Sequence, residues 1–113
     1  MHPLDLYIVY VKGREHSKFR PVLVFAFNDE VVALYPITTS HDNKSDRVKA
    51  LHFMINDWKE AGLKKISYVD VANRLWVKRR MLDNKEPIGK LSNKDAGEFL
   101  KFALRMKRTT KDI

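Results

Sequence analysis

Cysteine is absent from the 113 residues, so neither a disulfide nor a thiolate metal site can brace this chain. A reducing cytoplasm is the expected compartment. Glycine and proline number four each, and no repeat or low-complexity segment is present. No apolar run approaches the roughly 18 residues needed to cross a bilayer, and the opening residues lack a basic stretch followed by an apolar core and a cleavage site. No membrane segment is expected. The four histidines, His2, His16, His41 and His52, are scattered, with no spacing that sets two ligands on one helix face. No metal or cofactor is expected.

The length suits one domain over residues 1–113 with a small core. Its net charge of +8 is unevenly placed. Residues 1–60 carry 8 Lys/Arg and 8 Asp/Glu, whereas residues 61–113 carry 14 and 6, so the later segment holds the whole excess. A polyanion is the natural partner: neutralising phosphates releases counterions, with a salt slope of about −0.7 per contact for single strands. Charge alone also fits a basic surface without a ligand.

The chain is organised around residues 12–40. Pro21 to Phe27 and Val31 to Ile37 are rich in β-branched and aromatic residues and are joined by Asn28-Asp29-Glu30, the pattern of a hairpin. Pro21 has no backbone donor and suits the first position of a strand, which sets Arg20 at the strand mouth. Chain reversal brings Thr38, Thr39 and Ser40 back to that level. The preceding stretch, Lys12 to Phe19, reads as a polar loop.

Leu4 to Val11 reads as an opening strand. His41 to Lys49 is a polar connection whose acids superficially resemble a calcium loop but lack its glycine and terminal glutamate. A strand over Ala50 to Ile55 precedes a short helix near 57–61, capped by Asn56 or Asp57 and stopped by Gly62. Ile66 to Ala72 and Leu75 to Leu82 alternate as strands. The second sets Trp76, Lys78 and Arg80 on one face, able to stack a base and neutralise its backbone, or equally a tryptophan shielded by charged stems. Ile88 to Leu91 forms a closing strand. Ser92 and Asp95 form a capping box for a helix near 93–107, with Ala96, Phe99, Leu100, Ala103 and Met106 as its apolar face and Arg105, Lys107 and Arg108 in its last turn.

Gly13-Arg14-Glu15, Arg20-Pro21-Val22-Leu23-Val24, Pro36-Ile37-Thr38-Thr39-Ser40, Ser67-Tyr68-Val69 and Ile88-Gly89-Lys90-Leu91-Ser92 with Asp95 stand in the order and approximate spacing of one family. Over nearly its whole length the chain resembles the MazF/PemK-like toxins, and the segments around Trp58 and Tyr68 look like the PemK-like branch. The opening Leu6-Tyr7-Ile8-Val9 departs from the family's Gly-Asp-Ile/Val, and residues 12–19 are not a close match. The resemblance implies a mainly β fold, a small SH3-like closed barrel with a C-terminal helix, usually a homodimer. It also implies a metal-independent, sequence-selective endoribonuclease acting on single-stranded RNA and restrained by a cognate antitoxin, expected to be acidic. Carried onto this sequence, the arginine of the Arg-Pro motif is Arg20 and the threonine of the Pro-Ile-Thr motif is Thr38. Lys18, Thr39, Ser40, Ser67, Trp76, Lys78 and Arg80 are the expected RNA-binding residues.

RNA supplies its own nucleophile, the 2′-hydroxyl, so such a protein must orient in-line attack, move protons and stabilise charge on the phosphoryl oxygens. The planar, permanently charged fork of Arg20 fits the last task. Thr38 can position the attacking hydroxyl, and His16 has the intrinsic acidity for proton transfer, although the family motif does not require it. A CcdB-like gyrase poison and a basic nucleic-acid-binding module are the non-enzymatic alternatives on the same barrel.

Overall fold

A computed structural model of the chain describes residues 1–11 and 18–111, with the side chains of residues 1–10 and 18–106. The motif Gly13-Arg14-Glu15 and His16 lie outside the described residues, as do the side chains of Lys107 and Arg108. The order of elements is β1 (Asp5–Val11), β2 (Lys18–Phe27), β3 (Val31–Thr38), α1 (Asp46–Lys49), β4 (His52–Met54), β5 (Tyr68–Asp70), β6 (Leu75–Lys78), a 3-10 turn (Arg79–Met81), β7 (Gly89–Lys90) and α2 (Asn93–Lys111).

These strands form one curled antiparallel sheet, a half-barrel, in the order β4-β5-β3-β2-β1-β7. The free edge of β3 is shared: its first half pairs with β6, from Val31↔Lys78 to Leu34↔Leu75, and its last two residues pair with β5, Ile37↔Val69 and Thr38↔Tyr68. No helix among the described residues is long and apolar enough to cross a membrane.

Alternation along the strands builds a core on each face. Leu6, Leu23, Tyr35, Ile37, Phe53 and Val69 point to one, which α2 covers with Phe99, Ala96, Phe102 and Ala103. Tyr7, Val9, Val22, Val24, Val32 and Leu34 point to the other, closed by Leu82. Phe99 and Leu82 are almost fully enclosed, and each such burial is worth about 1.5–3 kcal/mol. The expected helix face is shifted by one position: Leu100 is exposed and Phe102 packs instead, because the helical stripe centred on Phe99 runs through residues three and four apart.

Several boundaries differ from expectation. β2 begins at Lys18, so Pro21 lies inside the strand and Arg20 is its third residue rather than its mouth. Pro21 is accommodated opposite Ile8 of β1, since only alternate antiparallel pairs exchange backbone hydrogen bonds. The helix expected near 57–61 is a single turn, closed by the Ala61 amide donating to the Asp57 carbonyl at 3.1 Å. It ends at Gly62, whose φ of +91° is the left-handed conformation glycine tolerates. The polar connection after Thr38 contains α1, capped by the Ser45 hydroxyl. The strand expected to run to Leu82 stops at Lys78, where the 3-10 turn takes Arg80 off the Trp76 face.

The capping box at α2 is half formed. Ser92 Oγ accepts from the Asp95 amide at 3.1 Å. The Asp95 carboxylate, fully enclosed, turns away and accepts from the amides of Asn56 and Asp57 at 3.2 and 2.8 Å. It thereby ties the 56–62 turn to the helix.

Candidate functional site

Arg20 and Thr38 stand just beyond the point where β2 and β3 part. The ladder between these strands ends at Val22↔Pro36, the same register that would set Arg20 opposite Thr38 two residues further on. Pro21 and Pro36 both lack a backbone donor, which explains why bonding stops there. Beyond that point β2 continues along β1, with Arg20 opposite Val9, and β3 continues along β5, with Thr38 opposite Tyr68.

Side-chain alternation places Arg20 on the face of Val22 and Val24, and Thr38 on the face of Pro36 and Leu34, which is the same face. Tyr68, paired with Thr38, and Met54, paired with Tyr68, extend that row across β5 and β4. The strands therefore carry Thr38, Tyr68 and Met54 side by side, with Arg20 and Lys18 on the same face of β2 beyond the end of the β2–β3 ladder. Among the described residues the Arg20 guanidinium has no hydrogen-bond or ion-pair partner, and the residue as a whole is half-buried. A half-buried cation without a counterion favours an anionic ligand.

Thr38 Oγ1 accepts from the Ser40 amide at 3.0 Å, folding residues 38–40 into a tight turn while leaving the hydroxyl proton free to donate. Thr39 and Ser40 are exposed on this turn. His41 follows it, and its ring stacks on Tyr68 with centroids 4.0 Å apart and planes 12° from parallel. His41 Nδ1 lies 3.0 Å from His52 Nδ1. His52, on β4 opposite Asp70, is only 8% exposed. Burial pushes its pKa below the ordinary 6.5; Asp70 opposes this, and His41 and Lys44 add to it.

Sequence reasoning missed this histidine couple. Eleven residues separate the two, and only the β4–β5 pairing and the turn after Thr38 bring them together. No group of three or more His, Asp or Glu side chains among the described residues is arranged to hold a metal ion.

The remaining expected residues are spread more widely. Ser67 is buried and donates its hydroxyl to the Lys65 carbonyl at 2.8 Å, which engages it within its own loop. Trp76, 63% exposed, sits opposite Ala33, five residues from Thr38 or about 17 Å at roughly 3.3 Å per residue. Alternation turns it to the sheet face opposite Thr38, and it lines a cleft of about 350 Å³ with Val9, Tyr10, Val77, Met81 and Lys85. Lys78 and Arg80 are exposed beyond it.

The family model for the PemK-like, MazF-like toxins of type II toxin-antitoxin systems matches residues 3–102. No curated protein gives a match to the chain.

Proposed function

The chain belongs to the PemK-like, MazF-like toxins, a family of endoribonuclease toxins of type II toxin-antitoxin systems, and from that premise we infer that it is a metal-independent, sequence-selective endoribonuclease. One observation supports the reading: the β2–β3 ladder ends at Val22↔Pro36, two residues short of Arg20 and Thr38, and alternation turns both toward the same sheet face. A phosphodiester lying across that seam meets a permanent cation on one side and a hydroxyl on the other.

The division of labour follows from the chemistry of the groups. Attack of the 2′-hydroxyl on the adjacent phosphorus forms the 2′-O–P bond and breaks the P–O5′ bond, leaving a cyclic phosphate and a 5′-hydroxyl. Charge grows on the non-bridging oxygens, and the fixed positive charge of the Arg20 guanidinium stabilises it. Thr38 donates to the ribose or phosphate and fixes the approach angle. The cleft that includes Val9, the cross-strand partner of Arg20, receives a flanking base, with the exposed rings of Tyr10 and Trp76 on its lining available for stacking. Lys18 and Lys85 neutralise neighbouring phosphates.

Family membership implies an antitoxin partner. The excess of 14 cations over 6 acids in residues 61–113 favours an acidic antitoxin, and a homodimer in the cytoplasm is the assembly and setting proposed for the toxin. Incubation of the purified protein with mixed-sequence RNA and a chelator tests the activity. Cutting at a fixed short sequence supports it, and retention of RNA without cutting contradicts it.

A further inference from the structure

The seam between Arg20 and Thr38 supplies charge and orientation but no base: an unperturbed threonine hydroxyl does not accept a proton near neutrality. The geometry points to His41 as the proton acceptor for the attacking 2′-hydroxyl and to His52 as the residue that positions it, an inference resting on the endoribonuclease reading.

A turn, a ring stack and a strand pairing place His41 near Thr38. The bond from the Ser40 amide to Thr38 Oγ1 turns the chain at the end of β3 immediately before residue 41. The imidazole lies flat on Tyr68 at 4.0 Å. Tyr68 is the direct cross-strand neighbour of Thr38, and such pairs have Cβ atoms about 5 Å apart. His41 is half-buried, whereas its partner is enclosed.

The bond between the two rings determines what His41 can do. At 3.0 Å between Nδ1 atoms, one ring supplies N–H and the other a lone pair, so the two cannot both be protonated there. Burial disfavours the charged form of His52. With neutral His52 accepting, His41 donates from Nδ1 and carries its lone pair on Nε2. That nitrogen takes the 2′-hydroxyl proton as the O–H pair moves to phosphorus. The resulting imidazolium keeps its Nδ1–H on His52, now as a charge-assisted bond. The 5′-oxygen departs with the P–O pair and takes a proton from water, and His41 returns its own proton to the hydroxide so formed. The arrangement follows the general logic in which a base is oriented by a third group. Among the described residues, Tyr68 and Asp70 from β5 and Lys44 from the 41–51 connection are the titratable or charged groups that act on the couple.

The test is single-turnover cleavage of mixed-sequence RNA by the full chain and its Arg20→Ala, His41→Ala, His41→Gln and His52→Phe variants, between about pH 5 and 8 where imidazole titrates. RNA affinity and thermal midpoint are measured alongside. His41→Ala is expected to lose about 10²–10⁴-fold in rate, to keep RNA affinity, to lose the acid limb of the pH profile and to recover partly with added imidazole. His52→Phe, which removes the acceptor for the imidazolium, is expected to move the acid limb to lower pH. If His41→Ala melts early, His41→Gln provides the same comparison, since its amide can donate to His52 but cannot take a proton. Cleavage by both His41 variants at the wild-type rate with an unchanged acid limb overturns the assignment and leaves the endoribonuclease reading standing. Wild-type protein that cuts no RNA overturns that reading instead.

Discussion

Thr38 stands directly opposite Tyr68 where β3 meets β5, and this pairing fixes the surroundings of any ribose held by the threonine. On one side the strand seam leads to Arg20. On the other, the Tyr68 ring carries His41. A cation, a hydroxyl and an imidazole thus follow one another across three strands of a single face.

Among the described residues Arg20 makes no ion pair, so its removal strands no described carboxylate. Arg20→Ala is expected to lower the cleavage rate by about 10²–10³-fold while the thermal midpoint stays close to wild type. Arg20→Lys keeps the charge but loses the planar fork, and should recover only a small part of the rate. Parallel kinetic and melting measurements separate this from a structural role, in which rate and midpoint would fall together.

Thr38 offers a hydroxyl on a β-branched frame. Thr38→Val preserves the shape and strand preference and removes the donor, so the rate falls while the fold holds. Thr38→Ser keeps the donor and should retain most of the activity. Equal rates for the valine and serine variants would remove Thr38 from the chemistry.

Asp95 ties the start of α2 to the 56–62 turn. Asp95→Ala leaves the Asn56 and Asp57 amides without their acceptor and is expected to cost about 3 kcal/mol in denaturant unfolding. Asp95→Asn, which retains one carbonyl oxygen, should cost less.

His52 links stability to pH. Its folded pKa lies below the 6.5 of the free side chain because burial disfavours the cation. Above 6.5 both folded and unfolded forms are neutral and the contribution is complete. As pH falls from there through the folded pKa, the unfolded chain binds the proton more readily and stability is lost. His52→Phe should remove this acid-side loss, as read from unfolding free energies across that window.

The hairpin, the closing strand and the C-terminal helix are legible in the sequence because they rest on local signals: alternation, turn residues, caps and chain reversal. The contacts that depend on distant chain segments are not. Nothing near Asp95 announces that its carboxylate serves amides some 38 residues away. Gly62 reads only as a helix stop, yet a Cβ there would meet the Ile88 carbonyl oxygen at 2.3 Å, and one on Gly89 would meet that of Ala61 at the same distance. The 56–62 turn and β7 are therefore packed backbone to backbone. His41 and His52 escape notice for the same reason, since the pairing of β4 with β5 is short and its partners are separated by an irregular stretch. Pro21 is misleading on its own: it signals a strand start, whereas the ladder on its other side tolerates it inside the strand.

Cleavage of a defined RNA in chelator, compared with the same strand bearing one 2′-deoxy nucleotide at the cut position, tests the central claim most directly. The account predicts that the all-ribose strand yields a 2′,3′-cyclic phosphate and a 5′-hydroxyl, and that the single deoxy substitution stops cutting while the strand still binds. Cleavage at the deoxy position, or a product with a 5′-phosphate, would contradict it.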